Sequence, residues 1–355
     1  MSRADRVAAR LAGRELDLLL VTDLVNVRYL TGYTGTNGLA VVGPRTRRFL
    51  TDFRYVEQAA AQVGDFDRET VPRDLLLGLG RGWPAGPVRL GFEDQHVSVR
   101  AAGQLRETLP ATVELVPAGG IVEAERATKE PAELDAIRAA AALTDEIYEW
   151  LAEAGVVGRT EREIALALEH EMRARGAEDA AFPSIVAAAG NGALPHAVPR
   201  DVPVPAGTLI TLDIGARVDG YCSDCTRTWA TGELPDDLAA VHATVLAAQE
   251  AALAAVRPGP TGREVDAVAR DAIEAAGYGE LFGHGLGHGV GLDVHEAPRL
   301  AQASDDRLAA GNVVTVEPGI YVPGRGGARI EDLVVVTGDG REVLSATTKA
   351  PRVVA

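Results

Sequence analysis

The sequence predicts an α/β protein of two domains, and three observations carry that prediction. Apolar runs of strand length alternate with helical patterns through the first third of the chain. A proline-started, alanine-rich helix then interrupts the alternation at Lys129-Glu130-Pro131. Beyond it, one helix-opening signature occurs twice, with matching ends.

In the first third the strand-like runs are LDLLLV, GLAVVG, RRFLTD, RLGFED and TVELVPA, and helical periodicity marks RYVEQAAAQV and VRAAGQLRETL. The boundary falls near residue 125, giving domains 1–125 and 126–355. The second opens on EPAELDAIRAAAALTDEIYEWLAEAG, a helix with proline in its first turn and Gly155 as its stop. Thr160-Glu161-Arg162-Glu163 is a capping box starting a helix that ends at Gly176. Thr261-Gly262-Arg263-Glu264 starts another that ends at Gly277, the same interval further on. Matching start, end and length predict a duplicated α/β unit, and a site at the junction of its halves would draw residues from both.

Composition narrows the function. With 46% hydrophobic and 24% charged residues the chain is ordinary soluble globular protein. Its 35 basic and 51 acidic side chains give a net charge of -16 without a basic stripe, which argues against nucleic acid or an anionic membrane surface as a partner. The N-terminal apolar run is broken by Asp17 and stopped by Asp23, too short and too charged for a signal peptide or a membrane span. With no export signal, the two cysteines, Cys222 and Cys225, point to the reducing cytoplasm. Strand alternation puts them on opposite faces, against a redox dithiol or half a zinc knuckle.

The chemistry lies in scattered acidic residues. Asp213 closes the apolar run TLITLD, where an unpaired charge is costly to bury. Asp224 follows Asp219-Gly220; if that dipeptide is the hairpin turn, the two aspartates lie within about one register step across paired strands. Glu317 ends NVVTV and precedes a turn at Pro318-Gly319. Glu331 lies in RIEDLVVV, with Arg329 two positions earlier and so on the same strand face. Of seven histidines, His196, His284, His288 and His295 fall in glycine- or proline-rich segments, whereas His96, His170 and His242 read as solvated or core polar residues. The glycines of GHGLGHGVGLDVHE let backbone pack close to an ion or substrate and argue against a helical H-x-x-x-H zinc site. Four carboxylates and the His288 imidazole are mostly oxygen ligands, better suited to two adjacent divalent cations with shared carboxylates than to one structural zinc. Such a pair makes a nucleophile from water, so the chain reads as a metallohydrolase. Arg329 and Thr226 are then expected to orient the carboxylates.

On these residues the second domain resembles the pita-bread metallopeptidases: methionine aminopeptidase, aminopeptidase P and proline dipeptidase. The resemblance runs from about Lys129 to Glu331 with the five ligand motifs in order. RYLTGYTGTNG and TDFRYVEQA resemble the N-terminal domain of the proline-specific branch, a domain most methionine aminopeptidases lack. The resemblance implies a creatinase-like α/β domain followed by a pseudo-twofold pita-bread catalytic domain, an α+β fold. It also implies hydrolysis of Xaa-Pro bonds in short proline-containing peptides, with a leaning to dipeptides, and a homodimer. By the same resemblance Asp213 chelates one metal, Asp224 and Glu331 bridge both, and His288 and Glu317 complete the second. Glu317 carries the proton, His196 and His284 lie on the substrate side, His295 stabilises the tetrahedral intermediate, and Arg299 pairs with a dipeptide's carboxylate. Mn(II) is the expected metal, with Co(II), Zn(II) or Fe(II) as alternatives. A creatinase-like amidinohydrolase or an inactive peptide-binding module of the same fold is the competing expectation, and both predict missing ligands.

Overall fold

The alternating pattern of the first third folds as a six-stranded mixed sheet within a unit spanning Met1–Arg126. Its strands are β1 (Leu18–Val21), β2 (Gly38–Gly43), β3 (Thr46–Thr51), β4 (Asp67–Thr70), β5 (Val88–Phe92) and β6 (Val113–Pro117), in the order β4-β3-β2-β1-β5-β6. The β1–β2–β3 meander is antiparallel, while β3–β4, β1–β5 and β5–β6 are parallel. Parallel neighbours need a crossover. Of the helices α1 (Arg3–Leu11), α2 (Leu24–Thr31), α3 (Val56–Gln62), α4 (Val99–Thr108) and α5 (Ile121–Arg126), α3 crosses from β3 to β4 and α4 from β5 to β6. Leu20, Val41, Leu50, Leu90 and Leu105 lie at the centre of its core. The structure, a computed structural model, describes residues 1–354.

The second unit starts at Ala127. Its helix α6 (Pro131–Ala154) has proline in the first turn, a Glu130–Glu133 capping box and Gly155 as its C-cap. The helices α7 (Glu161–Ala174), α8 (Asp236–Ala255) and α9 (Gly262–Ala275) follow. Thr160 and Thr261 cap α7 and α9 through the expected reciprocal bonds, each cap contributing about 1 kcal/mol.

The echo extends to the strands. In the first repeat β7 (Asp179–Ala180), β8 (Ile185–Ala188), β9 (Leu209–Ile214), β10 (Ala216–Val218), β11 (Tyr221–Cys222) and β12 (Cys225–Ala230) form the sheets β12-β9-β8 and β11-β10-β7. In the second, β13 (Gly287–Gly289), β14 (Glu296–Leu300), β15 (Val313–Val316), β16 (Gly319–Val322), β17 (Gly326–Arg329), β18 (Asp332–Val336) and β19 (Arg341–Val343) form β14-β13-β15-β18-β19 and β16-β17. Each repeat sends a long antiparallel pair, β9–β12 or β15–β18, into a short hairpin, β10–β11 or β16–β17. Between pair and hairpin both strands break and change sheet. Asp224, Glu317 and Glu331 sit at these breaks, and Asp213 is the next-to-last residue of β9.

The breaks correct two local expectations and leave a third in place. Asp219-Gly220 is the expected hairpin turn, with φ of +49 and +79, and the register it sets in β10–β11 continues unchanged through β9–β12. Within β9–β12 the residue opposite Asp213 is Thr226, and Asp224 lies two residues earlier, just before β12 begins. Arg329 ends β17 and Glu331 immediately precedes β18, so they do not share a strand. Pro318-Gly319 makes no reversal: the chain runs on into β16 and turns back at 323–325. In both repeats the register of the short hairpin continues into the long pair, so the breaks change the sheet but not the pairing.

Helix α8 is the one helix among the described residues long and apolar enough to cross a membrane. It packs as a core helix: Val241, Val245, Ala248 and Ala252 meet α9 and both sheets of the second repeat. Its buried polar residues are satisfied inside the domain, His242 by the Thr228 carbonyl and Gln249 by Asp332.

Candidate metal centre

Asp213, Asp224, His288, Glu317 and Glu331 converge at the strand breaks. Ligand atoms of Asp224, His288 and Glu331 all lie within 4.8 Å of one another. The Nε2 of His288 is 3.2 Å from Glu317 Oε1 and 3.6 Å from Asp224 Oδ2. Its Nδ1 is 3.1 Å from the Gly289 carbonyl, which can only accept, so Nδ1 carries the proton and Nε2 faces the carboxylates.

Two groups tie the remaining carboxylates to this cluster. Buried Arg329 donates to Asp213 Oδ2 at 2.5 Å, Thr226 Oγ1 at 3.1 Å, the Tyr321 hydroxyl at 2.9 Å and the Pro195 carbonyl at 3.1 Å. Thr226 in turn donates to Glu331 Oε2 at 2.7 Å, so one guanidinium and one hydroxyl link carboxylates of both repeats. Thr315 Oγ1 donates to Glu317 Oε1 at 2.9 Å and accepts the His288 amide at 3.1 Å.

The charges do not balance within the protein. Burial, then the neighbouring carboxylates, pushes Asp224 and Glu331 well above the usual carboxylate range. Burial also raises Asp213, against the pull of Arg329. Glu317 is buried too, yet the hydrogen bond and charge of His288, with Arg329 and His284, hold it below the usual range. Asp213 Oδ1 and Glu331 Oε1 are buried with no hydrogen-bond partner. An orphaned charged oxygen costs about 1–3 kcal/mol or more, and divalent cations between the carboxylates remove that cost for several atoms at once. The donor set fits hard or borderline divalent ions. The thiols add nothing to it: Cys222 contacts the Leu292 carbonyl and is pushed up to about 12 by burial, and Cys225 contacts the Glu331 carbonyl and is raised as well.

The other expected residues surround this centre. His295 is exposed, its ring centroid 4.3 Å from that of His288, and burial and the charge of His288 lower its pKa. His196 is exposed on the segment whose Pro195 carbonyl Arg329 holds. His284 has both nitrogens engaged, Nδ1 with the Gly285 carbonyl at 2.8 Å and Nε2 with the Tyr321 hydroxyl at 2.9 Å. Arg299 is exposed on β14, the neighbour of the strand that carries His288. Tyr321 and Thr315 were missed in the sequence. Thr315 stands two residues before Glu317 on an apolar strand, and a lone hydroxyl there was the available signal. Tyr321 acts across a hairpin and left none.

Residues 135–338 match Metallopeptidase family M24, and residues 3–128 match the Creatinase/Prolidase N-terminal domain. The chain is 40% identical to an Xaa-Pro dipeptidase of Pyrococcus horikoshii over 94% of both chains. It superposes on an Xaa-Pro dipeptidase from Bacillus anthracis with a TM-score of 0.94 and 37% identity, covering 99% of each chain. An X-Pro aminopeptidase from Thermotoga maritima is similar at a TM-score of 0.87 and 33% identity, covering 99% of this chain and 100% of that one.

Proposed function

The chain belongs to metallopeptidase family M24, and from that membership we propose that it hydrolyses Xaa-Pro bonds of short peptides, dipeptides above all. The observation that carries the reading is the buried convergence of four carboxylates and one imidazole, two of whose oxygens have no partner within the protein. Asp213, Asp224, His288, Glu317 and Glu331 would hold two divalent ions, with Asp224 and Glu331 shared between them. Mn(II) suits the oxygen-rich set best, and Co(II), Zn(II) and Fe(II) are the alternatives. The bound ions would lower the pKa of a water towards about 7 and polarise the scissile carbonyl.

The protein's own groups do the rest. Glu317, fixed by Thr315, takes a proton from the attacking water and delivers it to the leaving proline nitrogen. His295, kept neutral by its lowered pKa, still has an N–H to offer the oxygen on which negative charge develops. His196 meets the substrate from its exposed segment, and His284 orders the substrate side through Tyr321. Arg329 and Thr226 keep Asp213 and Glu331 aimed. Arg299 is free to pair with a dipeptide's terminal carboxylate, because no ion pair holds it among the described residues. A cytoplasmic location is supported by two buried free thiols, and a homodimer by the family resemblance alone.

The similarity to an X-Pro aminopeptidase favours a second reading, removal of the first residue from longer Xaa-Pro peptides. A panel of Xaa-Pro dipeptides, Xaa-Pro-Yaa tripeptides and methionyl peptides, assayed with Mn(II), separates the two. Dipeptides should lead, and Arg299→Ala should weaken Ala-Pro turnover more than that of a tripeptide. Equal losses remove the carboxylate role of Arg299, and preference for methionyl peptides rejects the proline reading.

A further inference from the structure

Helix α9 carries an ionic clamp on the segment that leads into the metal centre. Asp266 is 1% exposed on a helix face otherwise lined by Val265, Ala269 and Ile273. One turn later Arg270 meets it with both prongs, Nε to Oδ2 at 2.8 Å and Nη2 to Oδ1 at 2.9 Å. The pair spends its remaining capacity on backbone. Arg270 donates to the Phe282 carbonyl at 3.0 Å and the His284 carbonyl at 2.8 Å, and lies 4.3 Å over the Phe282 ring. Asp266 Oδ1 accepts the Leu286 amide at 3.0 Å.

The clamped segment touches the chemistry twice. Its His284 ring meets the Tyr321 hydroxyl, which also takes the Arg329 guanidinium. Its Leu286 carbonyl accepts the Glu317 amide at 2.8 Å, so the backbone of Glu317 hangs from the residue whose own amide Asp266 holds. A buried ion pair is a poor source of stability compared with apolar packing. It fits better as a device that fixes three backbone groups of one segment, two carbonyls by the planar guanidinium fork and one amide by the carboxylate.

Building on the peptidase reading, we infer that Asp266 and Arg270 are positioning residues, which set His284 and Glu317 for turnover without touching substrate or metal. Lysine at 270 retains the charge beside Asp266 but cannot reach the carboxylate and both carbonyls together. Arg270→Lys should therefore lower kcat about tenfold to a hundredfold, with KM rising no more than several-fold through His284, while the melting temperature stays near wild type. Hydrogen exchange, measured on the metal-free protein, should speed up in the peptide covering 282–288 and stay slow in α8. Arg270→Ala should show the larger kcat loss, and millimolar guanidinium chloride should restore part of it. Wild-type kcat and wild-type exchange in folded Arg270→Lys and Arg270→Ala would overturn the clamp. Faster exchange in a protein whose wild type cleaves no Xaa-Pro peptide would keep the clamp and discard the peptidase reading instead.

Discussion

The two repeats of the catalytic unit solve one problem with different side chains. Each must hold a histidine-bearing segment against the metal centre, and each does so with a buried carboxylate on its capped helix. In the first repeat it is Glu161, the residue after the Thr160 cap, which accepts the Ala188 and Arg200 amides and the Asn191 side chain, all at 2.9 Å, and pairs with the Arg200 guanidinium. That pins the segment carrying His196. The equivalent residue in the second repeat is Gly262, where a Cβ would stand 1.9 Å from the Arg299 carbonyl of β14. No side chain fits there, so the carboxylate is found one turn further along the same face, as Asp266. The repeats share architecture, and local crowding decides which position does the work.

Their contributions to the centre differ in kind. The first repeat supplies two aspartates, and the second two glutamates, the imidazole of His288 and the guanidinium of Arg329. Nearly all the positive charge therefore comes from one side, and Arg329 reaches across to Asp213. Replacing Asp224 by alanine removes a carboxylate meant to be shared and should reduce Ala-Pro hydrolysis to background; turnover at the wild-type rate breaks the shared-site account. Arg329→Lys should cost about tenfold to a hundredfold in kcat, since an ammonium cannot serve Asp213, Thr226, Tyr321 and Pro195 together. Glu161→Gln loosens only the substrate side, so KM should rise several-fold with kcat little changed. A kcat loss as deep as that of Arg270→Ala would erase the distinction between the repeats.

The smallest expected effect concerns the helix between the repeats. Burial lowers the pKa of His242 below its ordinary 6.5. The unfolded chain then binds the extra proton first, so His242 contributes stability above about pH 6.5 that is lost on acidification through its folded-state pKa. Melting curves of the wild type should fall between neutral and mildly acid pH, and His242→Gln should flatten that limb. An unchanged slope would mean other groups govern it.

Much of this was legible beforehand. The capping boxes at Thr160 and Thr261, the proline-led α6 and the five ligand motifs act locally and show in the sequence. The β10–β11 turn was legible for the same reason, since Asp219-Gly220 adopts the left-handed geometry the hairpin needs. What stayed hidden is a contact across a hairpin whose turn the sequence places wrongly. Thr226 faces Asp213 in the register that the Asp219-Gly220 turn sets, whereas Tyr321 meets Arg329 because β16 folds back on β17 at 323–325. Asp266 left a trace, a carboxylate on an apolar helix face, but its meaning needed the segment it holds.

Anomalous diffraction from crystals soaked in Mn(II) addresses the shared centre most directly. Two neighbouring peaks should appear, enclosed by Asp213, Asp224, His288, Glu317 and Glu331, with Asp224 and Glu331 touching both. A single peak, or manganese bound away from these side chains, contradicts the account.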